Sequence, residues 1–235
     1  MATKVSRSGK LNRPASRSLD RKRVFPAYQT GFSSALIATI GGVVYFLVIL
    51  GAILTGNFTF PPPDAIQLFG GITSLLFPPV LVILIASLHA IAPLEKKVFS
   101  QISLGFTLLF AVTVSINRFT QLGVVRQSMA AGATEGIGWF LPYGERSIMF
   151  GLEMLGWDWF LGLAMLFAAP IFSKGRLQHW LRGLLILYGV LGIFAAVAFL
   201  LASPLSVIGF VDWGVVLVIV TALMAVFFLR REDLR

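Results

Sequence analysis

Six apolar stretches, each of about 20 residues or more, constrain the fold of this chain more than any other feature. They lie approximately at 32–55, 65–92, 99–125, 148–172, 183–202 and 207–229. A bilayer core about 30 Å thick needs roughly 20 helical residues at a rise of 1.5 Å each. The chain is 57% hydrophobic and 12% charged, whereas charged residues make up about a quarter of a soluble domain. We therefore predict an all-α fold, a polytopic integral membrane bundle with six transmembrane helices.

The basic residues predict how these helices are oriented. Sixteen of the 19 Lys and Arg residues fall on the side of the N-terminus if the six stretches cross the bilayer alternately. Only Arg118, Arg126 and Arg146 fall on the other side. Lys and Arg are concentrated in cytoplasmic segments of membrane proteins. Both termini are therefore expected in the cytoplasm, and the membrane is expected to be a plasma or inner membrane.

The predicted domain organisation follows from these boundaries. Residues 1–30 form a basic cytoplasmic tail with no apolar face and are predicted to be disordered. The six-helix membrane domain occupies 31–229, and 230–235 form a cytoplasmic C-terminus. The one long connection, 126–147, is predicted to be extracytoplasmic. Its aromatic run at 139–143 is typical of a segment at the membrane interface, and Trp157 and Trp159 are interpreted as further interfacial anchors.

The net charge of +9 does not indicate nucleic-acid binding, because eight of the basic residues lie in the first 23 positions. The tail and the cytoplasmic loops are instead expected to attract anionic lipids of the bilayer. Assembly into a homo-oligomer or a hetero-oligomer stays open.

Five polar residues of the third and fourth stretches are the candidates for a ligand-binding site. They are Asn117, Arg118, Gln121, Glu153 and Asp158. Asn117 and Gln121 are four residues apart and therefore share one face of a helix, with Arg118 beside them. Ionisable side chains within a membrane are costly and are functional candidates by default. The expected ion pair joins Arg118 to Glu153 or to Asp158.

Two interpretations of these five residues are open. In the first they are structural, since Arg118 reaches the outer headgroups and the acids pair locally. In the second they line an outward-facing pocket that binds a small polar molecule or a lipid headgroup, for transport or in an accessory role. A lipid-modifying enzyme that uses Glu153 and Asp158 as acid and base is an alternative, as is a structural subunit of a membrane complex.

The chain contains none of the common signatures of enzymes or cofactor proteins. It has no cysteine, which excludes thiolate nucleophiles, iron–sulfur clusters and cysteine-bound zinc. The sequence motifs of zinc proteases, serine hydrolases and P-loop proteins are also missing. We therefore expect no cofactor and no metal site, and the catalytic residues of any enzymatic activity are unknown.

Overall fold

The computed structural model describes residues 14–59, 61–142, 147–232 and 234, with side chains from residue 25 onward. The described residues form helices and contain no strand. The six long helices are α1 Pro14–Leu54, α2 Asp64–Ile91, α3 Leu94–Ala130, α4 Ile148–Ile171, α5 Gly175–Leu200 and α6 Pro204–Arg230. Each is long and apolar enough to cross a membrane. The predicted all-α fold with six such helices is therefore confirmed.

Consecutive helices pack against each other, and α6 returns to contact α1. Short connections make such neighbours antiparallel. Lys96, in the first turn of α3, donates from Nζ to the Ile171 carbonyl at 3.0 Å. The Tyr28 hydroxyl donates to the Glu232 carbonyl at 3.2 Å, which ties α1 to the end of α6. These contacts gather the predicted cytoplasmic loops at one end of the bundle, which we call the basic end.

The core lies along α4, which is the most enclosed helix, whereas α1 is the least enclosed. Fully buried side chains include Leu81, Phe110, Leu161, Met165, Leu185, Tyr188, Val220 and Phe227. Glycines let α4 and α5 approach closely, because a Cβ on Gly189 would lie 2.7 Å from the Gly162 carbonyl oxygen. Between membrane helices such close packing supplies much of the stability that the hydrophobic effect provides in water.

Three helices extend beyond a predicted limit by five residues or more. Helix α1 begins at Pro14, so residues 14–30 are helical where a disordered tail is predicted, and residues 1–13 lie outside the described part. Helix α3 continues to Ala130 instead of ending at Val125. Helix α5 begins at Gly175, eight residues before the predicted position. Hydropathy marks only the apolar part of a helix, and polar residues with good helix propensity extend an existing helix at little cost.

Three short segments of the long helices have π-helical geometry, with hydrogen bonds to the fifth residue along the chain. These are Thr120–Val125 in α3, Met154–Phe160 in α4 and Asp212–Val216 in α6. Such segments are rare and occur frequently at functional sites. All three lie in the half of the bundle away from the basic end. They change the rotation of the side chains that follow them, so an ideal α-helix does not predict which residues face each other there.

Candidate functional site

Four of the five candidate residues form one closed hydrogen-bonded network, which we call the polar ring. Asn117, Arg118 and Gln121 come from α3, and Glu153 comes from α4. Asn117 Nδ2 donates to Glu153 Oε2 at 2.6 Å, and Gln121 Nε2 donates to Asn117 Oδ1 at 2.7 Å. Arg118 closes the ring by donating from Nη1 to Gln121 Oε1 at 3.0 Å and by pairing through Nη2 with Glu153 Oε1.

The ion pair between Arg118 and Glu153 is largely enclosed. The side chains are 12% and 10% exposed, so Arg118 does not extend to water as the structural interpretation supposed. The predicted pairing of Arg118 with one of two acids is confirmed for Glu153. Asn117 is fully buried and fixes the register of the two helices with a second donation, to the Met149 carbonyl at 3.1 Å.

The polar ring has more donors than acceptors. Both carboxylate oxygens of Glu153 and both side-chain oxygens of the amides accept hydrogen bonds within it. Arg118 Nε is buried without an acceptor among the described residues. A buried donor without a partner is unusual and costly. The site is therefore deficient in hydrogen-bond acceptors.

A cavity of about 100 Å³ adjoins the ion pair, and we call it the central cavity. Helices α1, α2 and α6 form its walls, with residues of α3 and α4 between them. Its lining includes Tyr45, Phe77, Arg118, Glu153, Trp157 and Trp213. The lining also includes Gly41, Gly42 and Gly214. Larger side chains at these positions would occupy part of the central cavity.

Aromatic rings make up one side of the central cavity. The Trp157 ring lies 5.7 Å from that of Phe77 and 5.9 Å from that of Trp213, measured between centroids. Trp157 is only 6% exposed, so its predicted role as an interfacial anchor is wrong. The π-helical segment that contains Trp157 directs the indole into the bundle, between α2 and α6. The central cavity therefore combines an ion pair with an aromatic wall.

A smaller cleft of about 20 Å³ lies on the other side of Arg118, toward the end opposite the basic end. Pro62 and Gln67, at the start of α2, line it together with Pro142 of the long connection. Arg118 and Tyr45 line both the cleft and the central cavity. Arg118 and Tyr45 thus lie between the cleft and the central cavity. Of the long connection 126–147, residues 143–146 lie outside the described residues.

Asp158 is the one candidate that the structure separates from the others. It is fully buried and accepts a hydrogen bond from Trp213 Nε1 at 2.7 Å. It does not line the central cavity, and the residues that meet its carboxyl group belong to α6. On an ideal α-helix the five-residue spacing turns Asp158 about 140° from Glu153, and the π-helical segment begins between the two.

Three residues near the site were missed by the sequence interpretation. Trp213 lines the central cavity and donates to Asp158, Tyr45 lines both spaces, and Asp212 is fully buried beside Trp213. Aromatic residues in apolar stretches do not stand out from the bundle core. Asp212 did carry a signal, because it is the one acidic residue in the sixth apolar stretch.

Comparisons with known proteins give no further guide to this site. No family model matches the sequence, and searches of curated proteins and of solved structures found no match.

Proposed function

We propose that this chain is a multi-pass protein of a plasma or inner membrane, with both termini in the cytoplasm. The six apolar helices support the membrane assignment, and the basic residues support the orientation. In this orientation the basic end faces the cytoplasm, where it attracts anionic lipids. The polar ring and the smaller cleft then lie toward the outer side.

The orientation can be tested directly because the chain has no cysteine of its own. Thr134→Cys and His179→Cys place single thiols at exposed positions near opposite ends of the bundle. A membrane-impermeant maleimide added to intact cells should label the first variant and should label the second only after lysis. The reverse pattern would contradict the orientation, and labelling of both in intact cells would contradict the six-span topology.

We further propose that the central cavity binds a small amphipathic molecule from the outer side, as a binding or accessory protein for a lipid-like ligand. The observation that carries this proposal is the enclosed pair of Arg118 and Glu153 in the wall of a cavity that also has aromatic rings.

The chemistry of the cavity indicates what such a ligand would contain. Because the polar ring is short of acceptors, the polar group of the ligand would carry acceptor oxygens, as phosphate, carboxylate and ester groups do. Arg118 suits such groups because its guanidinium offers several donors in a planar arrangement. Phe77, Trp157 and Trp213 would contact the apolar part. Ligand pockets are typically apolar with a few placed polar groups of this kind.

The geometry gives less support to the lipid-modifying enzyme. That reaction would need Glu153 and Asp158 at one site, as general acid and general base. Glu153 is engaged by Arg118 and Asn117, and Asp158 does not line the central cavity.

Ligand-dependent thermal stability tests the binding proposal. The purified protein would be mixed with phosphatidylglycerol, phosphatidylcholine, a fatty acid or inorganic phosphate, and the melting temperature would be followed. We expect stabilisation of wild type by an acceptor-bearing amphiphile, loss of this effect in Arg118→Gln, and its retention in Arg126→Gln. Arg126 is a matched control because it pairs with Asp64 at the surface, outside the cavity.

Each outcome of this experiment is informative. Stabilisation by inorganic phosphate alone would show that the cavity binds a small polar anion and not an amphiphile. Absence of any effect on wild type, or equal effects on all three proteins, would contradict a binding site at Arg118.

A further inference from the structure

Two aspartates are fully buried between α4 and α6, away from the polar ring. Asp158 is about 15 Å along α4 from its start at Ile148, and Asp212 is about 12 Å along α6 from Pro204. Both residues lie in π-helical segments. Neither is therefore near a helix end where its carboxyl group could reach water.

The two carboxyl groups have almost no hydrogen-bond donors. Asp158 Oδ1 accepts from Trp213 Nε1, but Asp158 Oδ2 and both carboxyl oxygens of Asp212 have no partner among the described residues. Buried carboxylates normally accept several hydrogen bonds or pair with a cation. Within the described part of the chain, the Asp212 carboxyl group is thus fully buried, lies close to Asp158 and has no hydrogen bond to another side chain.

The described groups around this pair do not supply a countercharge. On α5, the Tyr188 hydroxyl donates to the Trp157 carbonyl at 3.2 Å and not to either aspartate. Arg118 of α3 is already paired with Glu153 of α4 in the polar ring. On α6, the Trp213 indole is the donor already described, and the backbone amides of Asp212 and Trp213, which carry no charge, lie near the Asp212 carboxyl group. If ionised, the pair would therefore carry two negative charges in an apolar interior, which is strongly unfavourable.

The packing around the pair leaves little space for a hydrated ion. A Cβ on Gly209 would lie 2.7 Å from Asp158 Oδ1, and a Cβ on Gly192 would lie 3.0 Å from Asp212 Oδ2. The same Gly192 position is 2.8 Å from the Asp158 carbonyl oxygen. The carboxyl groups therefore lie directly against glycine backbone. A proton needs no additional space, and it converts an acceptor-only carboxylate into a donor.

We infer that Asp158 and Asp212 form a proton-binding site in the interior of the bundle, with both carboxyl groups protonated in the folded protein at neutral pH. In this state each group is neutral and can donate to a nearby oxygen. Asp158 lies against Gly209 of α6, and Asp212 lies against Gly192 of α5.

Trp213 connects the proton-binding site to the central cavity, since it lines the cavity and donates to Asp158. A ligand that moved this indole would change the hydrogen bonding of Asp158. By linkage, ligand binding and proton occupancy would then influence each other to the same extent. This coupling rests on the proposed function, whereas the proton-binding site itself does not.

Infrared spectroscopy of the full-length protein in lipid tests the proton-binding site without any ligand. At neutral pH the wild type should show the carbonyl stretch of protonated carboxylic acids. Asp158→Asn and Asp212→Asn should each remove about half of this band, and the double variant should remove all of it. Glu153→Gln is the control and should leave the band unchanged, because Glu153 is ionised and paired with Arg118.

A measurement on the unmodified chain protects the test against variants that fail to fold. Labelling aspartate with carbon-13 shifts the infrared bands of aspartate away from those of glutamate. At neutral pH we expect the carbonyl stretch of protonated carboxylic acid to appear at the shifted position. Purely ionised aspartate bands would overturn the inference. Stabilisation of wild type by sodium, potassium or calcium ions, if it is lost in both aspartate variants, would also overturn the inference, because it would show a cation site.

Discussion

Replacing Glu153 by glutamine tests whether the polar ring stabilises the contact between α3 and α4. The substitution keeps the size of the side chain and removes its charge, so Arg118 loses its only ion-pair partner among the described residues. The new amide would offer one acceptor oxygen to two donors, Asn117 Nδ2 and Arg118 Nη2. The guanidinium would then be largely buried without a countercharge.

The loss in the free energy of unfolding that we expect for Glu153→Gln can be compared with two known values. Removing one partner of a buried ion pair costs about 3–5 kcal/mol in soluble proteins. Neutral hydrogen bonds between membrane helices contribute only about 0.6 kcal/mol on average. Because both side chains are mostly enclosed, we expect Glu153→Gln to lower the free energy of unfolding by about 3 kcal/mol. The double variant Arg118→Met/Glu153→Leu should cost less than this single change, since it leaves no unpaired charge.

Unfolding by sodium dodecyl sulfate in mixed micelles, followed by circular dichroism, would measure these free energies. Asp64→Asn is the matched control, because it breaks the exposed pair with Arg126 and should cost less than about 1 kcal/mol. A cost for Glu153→Gln no larger than that of the control would refute the reasoning. A double variant whose cost equals the sum of the costs of Arg118→Met and Glu153→Leu would show that Arg118 and Glu153 are not coupled.

Three further substitutions, one of them a control, test the packing and the hydrogen bonds around the site. Gly192→Ala should destabilise by about 1–3 kcal/mol and lower the melting temperature, because the added Cβ would meet backbone and carboxyl oxygens at 2.8–3.0 Å. Gly105→Ala, where nothing lies within 4 Å, should be neutral or slightly stabilising in the same melting experiment. Asn117→Ala should cost about 1–3 kcal/mol in the unfolding assay, because Glu153 and the Met149 carbonyl each lose a buried donor. A cost close to zero would show that the Asn117 hydrogen bonds are dispensable.

The sequence predicted the six helices because hydropathy over about 20 residues is a strong signal for a span. It also predicted the polar face of α3, since Asn117 and Gln121 follow the four-residue spacing of an α-helix. The predicted positions of the helix ends were less accurate. Arg126–Ala130 continue α3 as a polar helical turn, and composition alone does not distinguish such a turn from a loop.

The part of the site on α4 and α6 could not be predicted for a physical reason. Rotation around a helix is calculated with 3.6 residues per turn, but Met154–Phe160 and Asp212–Val216 have a different backbone geometry. The position of Asp158 therefore could not be derived from its spacing to Glu153. Trp213 and Asp212 act through contacts with another helix, which a single sequence does not reveal.

Native mass spectrometry in the presence of phosphatidylglycerol most directly tests binding at the central cavity. The measurement would compare wild type, Arg118→Gln and Arg126→Gln at equal lipid concentration, and it would count lipids that survive removal of the detergent. We expect one retained lipid on wild type and on Arg126→Gln, and none on Arg118→Gln. Equal retention by all three proteins, or no retained lipid on wild type, would contradict binding of a lipid-like amphiphile beside Arg118.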